Sequence, residues 1–272
     1  MSRPFLKMNG LGNDFVVVEA RSQPFQPTAA QVRAIADRAT GIGCDQLIAI
    51  EPGEGTDARV RFWNADGEEV SACGNGTRCV GWLLMQFKGS DQAVIETRAG
   101  RLIATRAGER LVSVDMGEPR LEWDEIPLAE PQDTRDLDVT LFGHPLLRAA
   151  GCVSMGNPHV VFFVDDLGRV PVAEIGPLVE RHRLFPEHVN VGFAQITARD
   201  RIALRVWERG AGLTKACGTG ACAALVAAAR RDLTDRAATL ALDGGDLFVE
   251  WRGDGHVIMT GPAAVDFAGE LP

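Results

Sequence analysis

The sequence predicts an α+β protein built from two copies of one strand-rich unit, each with a helix sunk inside its shell of strands. Three observations lead there. The motif Ala-Cys-Gly-x-Gly occurs twice, at Ala72-Cys73-Gly74-Asn75-Gly76 and at Ala216-Cys217-Gly218-Thr219-Gly220, 144 positions apart (217 − 73). The residues around each motif recur at the same offset. Each half also reads as short β-branched or alternating runs, plus one segment that is apolar nearly all round.

The repeat runs far beyond the cysteines. Gly12-Asn13 and Val16-Val17 return as Gly156-Asn157 and Val160-Val161. Gln46 falls opposite Asn190, and Phe62-Trp63-Asn64 opposite Val206-Trp207-Glu208. Near the ends, Val114 and Gly117 match Ile258 and Gly261. A fixed period of this kind marks duplicated structural units, here residues 1–117 and 145–261. Between them, Glu118 to Asp138 is rich in proline and acidic residues and reads as a connection. Residues 262–272 have no counterpart and are expected to return to the first unit or to serve a subunit contact. The domain division is therefore 1–117, with 262–272 returning to it, and 118–261.

Taken in chain order, strands are expected at Val16–Glu19, Leu47–Ile50, Arg59–Trp63, Val94–Thr97, Leu102–Arg106 and Leu111–Met116. Val160–Val164, Ile202–Trp207, Thr239–Leu242, Leu247–Trp251 and Val257–Thr260 answer them in the second half. Thr28–Ala39 fits an amphipathic helix: Thr28 and Gln31 form a capping box, and Val32, Ile35, Ala36 and Ala39 share a face. Gly41 is its expected stop. Thr77–Phe87 and Gly220–Ala229 are apolar nearly all round, the pattern of a buried helix. Their N-terminal ends fall at the Cys-Gly-x-Gly turns and are expected to face each other across a cleft.

Composition narrows the function classes. The 272 residues carry a formal net charge of −9 and no basic stripe, which argues against nucleic acid. No apolar run approaches the roughly 20 residues of a membrane span, and the first residues lack a signal-peptide core. Cys44, Cys73, Cys79, Cys152, Cys217 and Cys222 are better read as reduced thiols than as a disulfide framework. A cytoplasmic protein is expected.

The chemistry concentrates at the two motifs. A helix N-terminus offers unpaired backbone N–H groups and partial positive charge. Glycines at 74, 76, 218 and 220 let a carboxylate sit directly on those amides. The same field favours thiolate, lowering a cysteine pKa from about 8.5 toward roughly 3.5–7.5. Two such sites acting together can remove an α-proton with one thiolate and deliver a proton to the other face from the second thiol. The cradle would stabilise the charge that develops as the proton leaves. Inversion of a stereocentre then needs no cofactor, and the two thiols titrate as a coupled pair.

Plainer roles for the cysteines compete with this one. Cys44, Cys79, Cys152 and Cys222 fit buried core thiols. Zinc is a rival reading, but the Cys73–Cys79 spacing exceeds the usual ligand interval, and helical placement turns the second cysteine of each pair inward. No dinucleotide fingerprint, P-loop or nucleophile elbow is present, and nothing points to pyridoxal phosphate. No metal and no cofactor are expected.

At Met8-Asn-Gly-Leu-Gly-Asn-Asp-Phe15, Gly43-Cys-Asp-Gln46, Asn64-Ala-Asp-Gly67, Ala72-Cys-Gly-Asn-Gly-Thr-Arg-Cys79, Gly156-Asn-Pro-His159 and Glu208-Arg-Gly…Ala216-Cys-Gly-Thr-Gly-Ala-Cys222, the chain closely resembles the diaminopimelate epimerases. The resemblance runs from the first ten residues to the C-terminus. It implies two pseudo-symmetric α/β domains, each a curved, mainly antiparallel sheet or barrel around a central buried helix, with the site between them. It also implies a pyridoxal-independent isomerase interconverting LL- and meso-2,6-diaminopimelate on the route to lysine and peptidoglycan.

Carried over by resemblance, Cys73 is the proton donor and Cys217 the acceptor in the LL-to-meso direction. Gly74, Asn75, Gly218 and Thr219 form the carboxylate cradle. Asn13, Asn64, Asn157, Asn190 and Arg209 bind the distal amino-acid end, with Gln46 nearby. Glu208 takes the reacting ammonium and, with His159, helps set the cysteine pKa values. Amides that give and take hydrogen bonds, beside a planar cation, suit a substrate with an amino acid at each end. An isolated asparagine more often marks a turn, but Asn13 with Asn157 and Gln46 with Asn190 recur at one offset. For His159, a satisfied core or loop histidine is a serious alternative. Glu208 and Arg209 also fit a plain surface pair.

A homodimer is expected as well. The family often places a tyrosine near the C-terminus at its dimer contact; this chain contains no tyrosine, and Phe267 stands near that place. The nearest rival activity is a proline racemase-like enzyme, whose substrate lacks the second amino-acid end. A non-catalytic zinc or small-ligand module is the rival from another class.

Overall fold

A computed structural model describes residues 3–138, 143–144, 147 and 149–271. Two compact units emerge, Met1–Asp115 with Thr260–Pro272, and Met116–Met259. Pro145, the expected start of the second repeat, lies outside the described residues.

In the first unit the chain runs β1 (Arg3–Gly10), β2 (Asn13–Glu19), α1 (Ala29–Ala36), β3 (Gln46–Glu51), β4 (Ala58–Asn64), β5 (Glu69–Val70), α2 (Gly74–Lys88), β6 (Gln92–Thr97), β7 (Gly100–Arg106) and β8 (Leu111–Asp115). The second continues β9 (Ala149–Ser154), β10 (Pro158–Phe163), α3 (Val172–Glu180), β11 (Asn190–Ala198), β12 (Arg201–Glu208), β13 (Gly212–Thr214), α4 (Gly218–Arg230), β14 (Ala237–Leu242) and β15 (Gly245–Trp251). β16 (Val257–Pro262) carries the chain back to the first unit, where β17 (Ala264–Leu271) ends it.

Each unit is a mainly antiparallel sheet with two parallel pairings, β2–β3 and β4–β6 in one, β10–β11 and β12–β14 in the other. The register itself repeats. Phe15 pairs with Gln46 as His159 pairs with Asn190, and Leu47 with Trp63 as Val191 with Trp207. Because side chains alternate across a strand, a conserved register puts matching residues on the same face in both units. The offset seen in the letters is an offset in backbone pairing.

The helices after the cysteines are the cores of their units. α2 packs against β1, β2, β6, β7 and β8, and α4 against β9 to β12, β14 and β15. Val80, Leu83, Leu84 and Met85 of α2 are buried, each worth roughly 1.5–3 kcal/mol of transfer from water. At Gly81 a Cβ would stand 2.4 Å from the Ala104 Cβ, so the missing side chain is what lets α2 approach β7. Gly89 ends α2 in the left-handed conformation, φ 65°. α4 is alanine-rich, which favours helix and allows the same close burial.

Three expectations change. The helix predicted over Thr28–Ala39 starts with the expected capping box at Thr28 but spans only Ala29–Ala36. Asp37 ends it by accepting from the Ala39 and Thr40 amides, so Ala39 is exposed rather than on the buried face. Gly41 is not a helix stop: a Cβ there would sit 2.1 Å from the Ala34 carbonyl oxygen, where the chain folds back on the helix. The second change is α3, the counterpart of α1, which the sequence pattern hid because Gly176 and Pro177 read as breakers.

The third concerns Glu118 to Asp138, which is more than a connection. Ile126, Leu128 and Leu137 are buried in the second unit's core with Phe162, Val179 and Phe193. Of the terminal segment, residues 264–271 dock on the first unit, β17 pairing antiparallel with β1 from Asn9–Ala264 to Arg3–Leu271.

Gly176 shows how tightly α3 is seated. A Cβ there would lie 2.5 Å from Trp207 Cγ. Gly176→Ala is expected to cost about 1–3 kcal/mol by overpacking, read as a lower midpoint in denaturant titration. An unchanged midpoint would show that the Trp207 ring moves aside freely.

Candidate active site

Cys73 and Cys217 are each the N-cap of a buried helix, extended at φ −141° and −120° respectively. This follows from the local sequence: glycine, a small polar residue and glycine open the helix, and no bulky side chain blocks its first amides. The Gly76 amide donates to Cys73 Sγ at 3.5 Å, so the sulfur caps its own helix. Cys73 is partly exposed and Cys217 is buried.

In the first unit, the starts of β2 and β3 and the end of β4 bring the predicted residues together. Asn75 Nδ2 donates to Asn13 Oδ1 at 2.6 Å, and Asn13 Nδ2 donates to Asp45 Oδ2 at 3.2 Å. Gln46 Nε2 donates to Asn64 Oδ1 at 2.8 Å across the β3–β4 pair. Among the described residues Gln46 Oε1 is buried without a hydrogen-bond partner, an acceptor suited to an incoming ammonium. Asp14 accepts from Lys7 at 2.6 Å and from Arg38 at 2.7 Å, which keeps its carboxyl far below the usual range against the cost of burial.

In the second unit the same positions form another cluster. His159 Nε2 and Asn157 Oδ1 are 3.1 Å apart, Asn157 Nδ2 donates to Thr219 Oγ1 at 3.3 Å, and Thr219 Oγ1 lies 3.6 Å from Cys217 Sγ. Asn190 Nδ2 donates to the Pro158 carbonyl at 3.0 Å, and its Oδ1 accepts the Arg209 amide at 3.0 Å. The Arg209 guanidinium donates to the Glu187 carbonyl at 2.8 Å, and Thr214 Oγ1 to Glu208 Oε1 at 2.5 Å.

Electrostatics separates the groups. Burial pushes the Cys217 thiol well above its ordinary value, and the charge and hydrogen bond of Glu208 push the same way. Thr219 opposes this by bonding the sulfur. Cys217 is therefore a protonated thiol in this state. Burial, with the Arg209 charge second, lowers His159 to about 3, so its ring is neutral. A neutral His159 cannot lower a thiol by charge; it connects to Cys217 through Asn157 and Thr219. Burial also raises Cys44 to about 11, and Cys79 and Cys152 to about 12, as expected of core thiols. Among the described residues no group of three or more His, Cys, Asp or Glu is arranged to hold a metal ion.

Three further residues bear on the site. Arg78 is fully buried in α2 and donates to Asn75 Oδ1 at 2.9 Å. An arginine in a helix apolar nearly all round was the signal for it. Asp45 anchors Asn13, and its place in Gly-Cys-Asp-Gln was the only clue. Glu180 is buried and accepts from Trp207 Nε1 at 2.7 Å and from the Gly210 amide at 3.1 Å, fixing the turn that carries Glu208 and Arg209. Nothing in the sequence singled it out, because a lone glutamate on a helix ordinarily faces water.

The clusters and the motif pair match a known group. The family model described as diaminopimelate epimerase fits residues 5–122 and 151–265. The chain belongs to that family. A diaminopimelate epimerase of Phenylobacterium zucineum (strain HLK1) is 80% identical over 273 residues, covering 100% of this chain and 99% of that one. Its namesake in Caulobacter vibrioides (strain NA1000 / CB15N) is 60% identical, covering 100% and 98%. Among solved structures, a probable proline racemase from Agrobacterium radiobacter K84 superposes with a TM-score of 0.70 at 16% identity, covering 99% of this chain and 93% of that one. A hydroxyproline epimerase from Agrobacterium vitis also gives 0.70, at 15% identity with 99% and 92% covered. These two likenesses show that this chain shares its fold with those two proteins. No helix among the described residues is long and apolar enough to cross a membrane.

Proposed function

We propose that this chain interconverts LL- and meso-2,6-diaminopimelate without a cofactor, by a two-base mechanism in which Cys73 and Cys217 work as a pair. The observation that carries the reading is that both motif cysteines cap buried helices whose first turns are free of bulky side chains. Membership of the family supplies the substrate. The α-carboxylate rests on the amides of Gly74, Asn75, Gly218 and Thr219, where helix N-termini stabilise the charge that spreads onto it as the α-proton leaves. Glu208 receives the reacting ammonium. Asn13, Gln46, Asn64, Asn157, Asn190 and Arg209 hold the distal amino-acid end, with Gln46 Oε1 supplying an acceptor.

Cys217 accepts the α-proton from the LL isomer and returns it in the reverse direction; Cys73 serves the opposite face. A protonated Cys217 is set for the reverse direction. It becomes the acceptor once the substrate ammonium neutralises Glu208, because that removes a charge disfavouring the thiolate. Glu208→Gln should act the same way. The Cys217 pKa is expected to fall in ultraviolet thiolate titrations compared with and without Cys217→Ala. A rise, or no change, would remove Glu208 from control of the thiol.

Incubation of LL-diaminopimelate in deuterated water tests the function directly: meso product carrying α-deuterium is expected. Turnover of proline or hydroxyproline instead would favour the racemase-like rival. A cytoplasmic homodimer belongs to the same reading. In its support, Phe267 stands half exposed on β17, its ring edge-on to Phe5 at 6.0 Å.

A further inference from the structure

We infer that Arg78 and Asp45 are positioning residues that lock the amide orientations of Asn75 and Asn13, and so decide which hydrogen-bonding atoms the first half-site shows its substrate. The inference rests on the proposed role of Asn13 and Asn75 in substrate binding.

The argument starts from what each group can do. A guanidinium only donates, and an ionised carboxylate only accepts. An asparagine amide does both, and rotation by half a turn exchanges its oxygen and nitrogen at little intrinsic cost. Between a fixed donor and a fixed acceptor that freedom disappears. Arg78 donates to Asn75 Oδ1 at 2.9 Å, so Nδ2 of Asn75 points the other way and donates to Asn13 Oδ1 at 2.6 Å. Asn13 is turned in the same sense and donates from Nδ2 to Asp45 Oδ2 at 3.2 Å. Reversing either amide would set oxygen against oxygen, or nitrogen against guanidinium, at Asn75 in a buried position and at Asn13 in a partly buried one.

Both ends are themselves anchored. Arg78 is fully buried and also donates from Nε to the Pro262 carbonyl at 3.4 Å. Asp45 accepts from the Asp14 amide at 3.0 Å and pairs with Arg38 at 2.8 Å, which holds it in place. Asn13 also opens β2, opposite Gly10, so its backbone is fixed by the sheet while the chain of bonds fixes its amide. The amide hydrogen and lone pair left over on Asn13 therefore have assigned positions before any ligand arrives, the pre-organisation that saves ordering cost on binding.

The second half-site lacks this lock. At the common offset, Cys222 replaces Arg78 and Val189 replaces Asp45. Its corresponding contact runs the other way, from Asn157 Nδ2 to Thr219 Oγ1 at 3.3 Å. That chain ends in His159 and Cys217, groups that can both give and take a proton. One half-site is thus rigid in polarity, while the half that carries Cys217 and Glu208 can reverse with the proton it handles.

The test uses the full chain and the variants Arg78→Met, Arg78→Lys and Asp45→Asn, with steady-state kinetics on LL-diaminopimelate and a thermal melt for each. Arg78→Met is expected to raise KM about tenfold or more with kcat within about threefold, the pattern of lost ground-state positioning. Arg78→Lys keeps a charged donor and should stay within about threefold of wild type in KM. Asp45→Asn, at the partly exposed end, should raise KM roughly three- to fivefold without changing kcat. If Arg78→Met does not fold, Asp45→Asn decides. An unchanged KM in Asp45→Asn, whatever the melting temperature, overturns the inference.

A wild type that fails to turn over LL-diaminopimelate would refute the proposed function instead. The lock is then read from nitrogen-15 spectra of the side-chain amides. Slowly exchanging, well-dispersed Asn13 and Asn75 signals that collapse in Asp45→Asn are expected, and rapidly exchanging signals in the wild type overturn it.

Discussion

Cys73→Ala and Cys217→Ala should each abolish the interconversion of LL- and meso-diaminopimelate, by about a thousandfold or more, while the protein stays folded. In the proposed mechanism each thiol supplies one proton transfer, and a positioned acid or base contributes typically 10²–10⁴-fold. Both residues are N-caps at which a small side chain is tolerated, so loss of the sulfur leaves α2 and α4 in place. Hydrogen exchange at the α-carbon in deuterated water separates the roles. Cys73→Ala keeps the Cys217 base and should still exchange the α-proton of the LL isomer. Cys217→Ala should exchange the proton at the reacting centre of the meso isomer alone. Epimerisation that survives the loss of either thiol would sink the two-base mechanism, and the opposite exchange pattern would swap the assignments.

Arg209→Met is the second large effect: KM for LL-diaminopimelate is expected to rise by roughly a hundredfold with kcat much less affected. A guanidinium binds a carboxylate through paired, charge-assisted hydrogen bonds, about twice as strong as neutral ones. Arg209 is held at two points, its amide on Asn190 Oδ1 and its side chain on the Glu187 carbonyl. In the proposed reading the distal carboxylate does not change in the reaction, so a contact to it would contribute equally to ground and transition states, and its loss would appear in KM. Arg209→Lys should recover part of the loss through charge, not the paired geometry. A KM within about threefold of wild type in Arg209→Met would make the residue a surface cation and reopen the smaller substrates of the racemase-like rival.

Much of this protein was legible because it is written twice. The offset of 144 between Cys73 and Cys217 recurs in Asn13 with Asn157 and Gln46 with Asn190, and reappears as identical strand register. Both buried helices and most strands follow from local pattern, since burial on all sides demands apolar residues all round. α3 did not, because Gly176 and Pro177 look like breakers when read locally. Gly176 is there to admit the Trp207 ring. β1 and β17 carry no local signal for a related reason: their partnership joins residues at opposite ends of the chain.

What the sequence determined by itself is therefore the repeated unit, the helix-capping position of both cysteines, and the set of amides and charges around them. Each of these depends on residue type and spacing, which the chain carries in its letters. Only the tertiary structure decided what those groups do to one another. It is burial and the nearness of Glu208 that keep Cys217 protonated, and burial that keeps His159 neutral. The Arg78–Asn75–Asn13–Asp45 chain likewise joins residues up to 65 positions apart (78 − 13). Desolvation and hydrogen-bond direction depend on what surrounds a group in space, and in a sheet those surroundings come from distant segments.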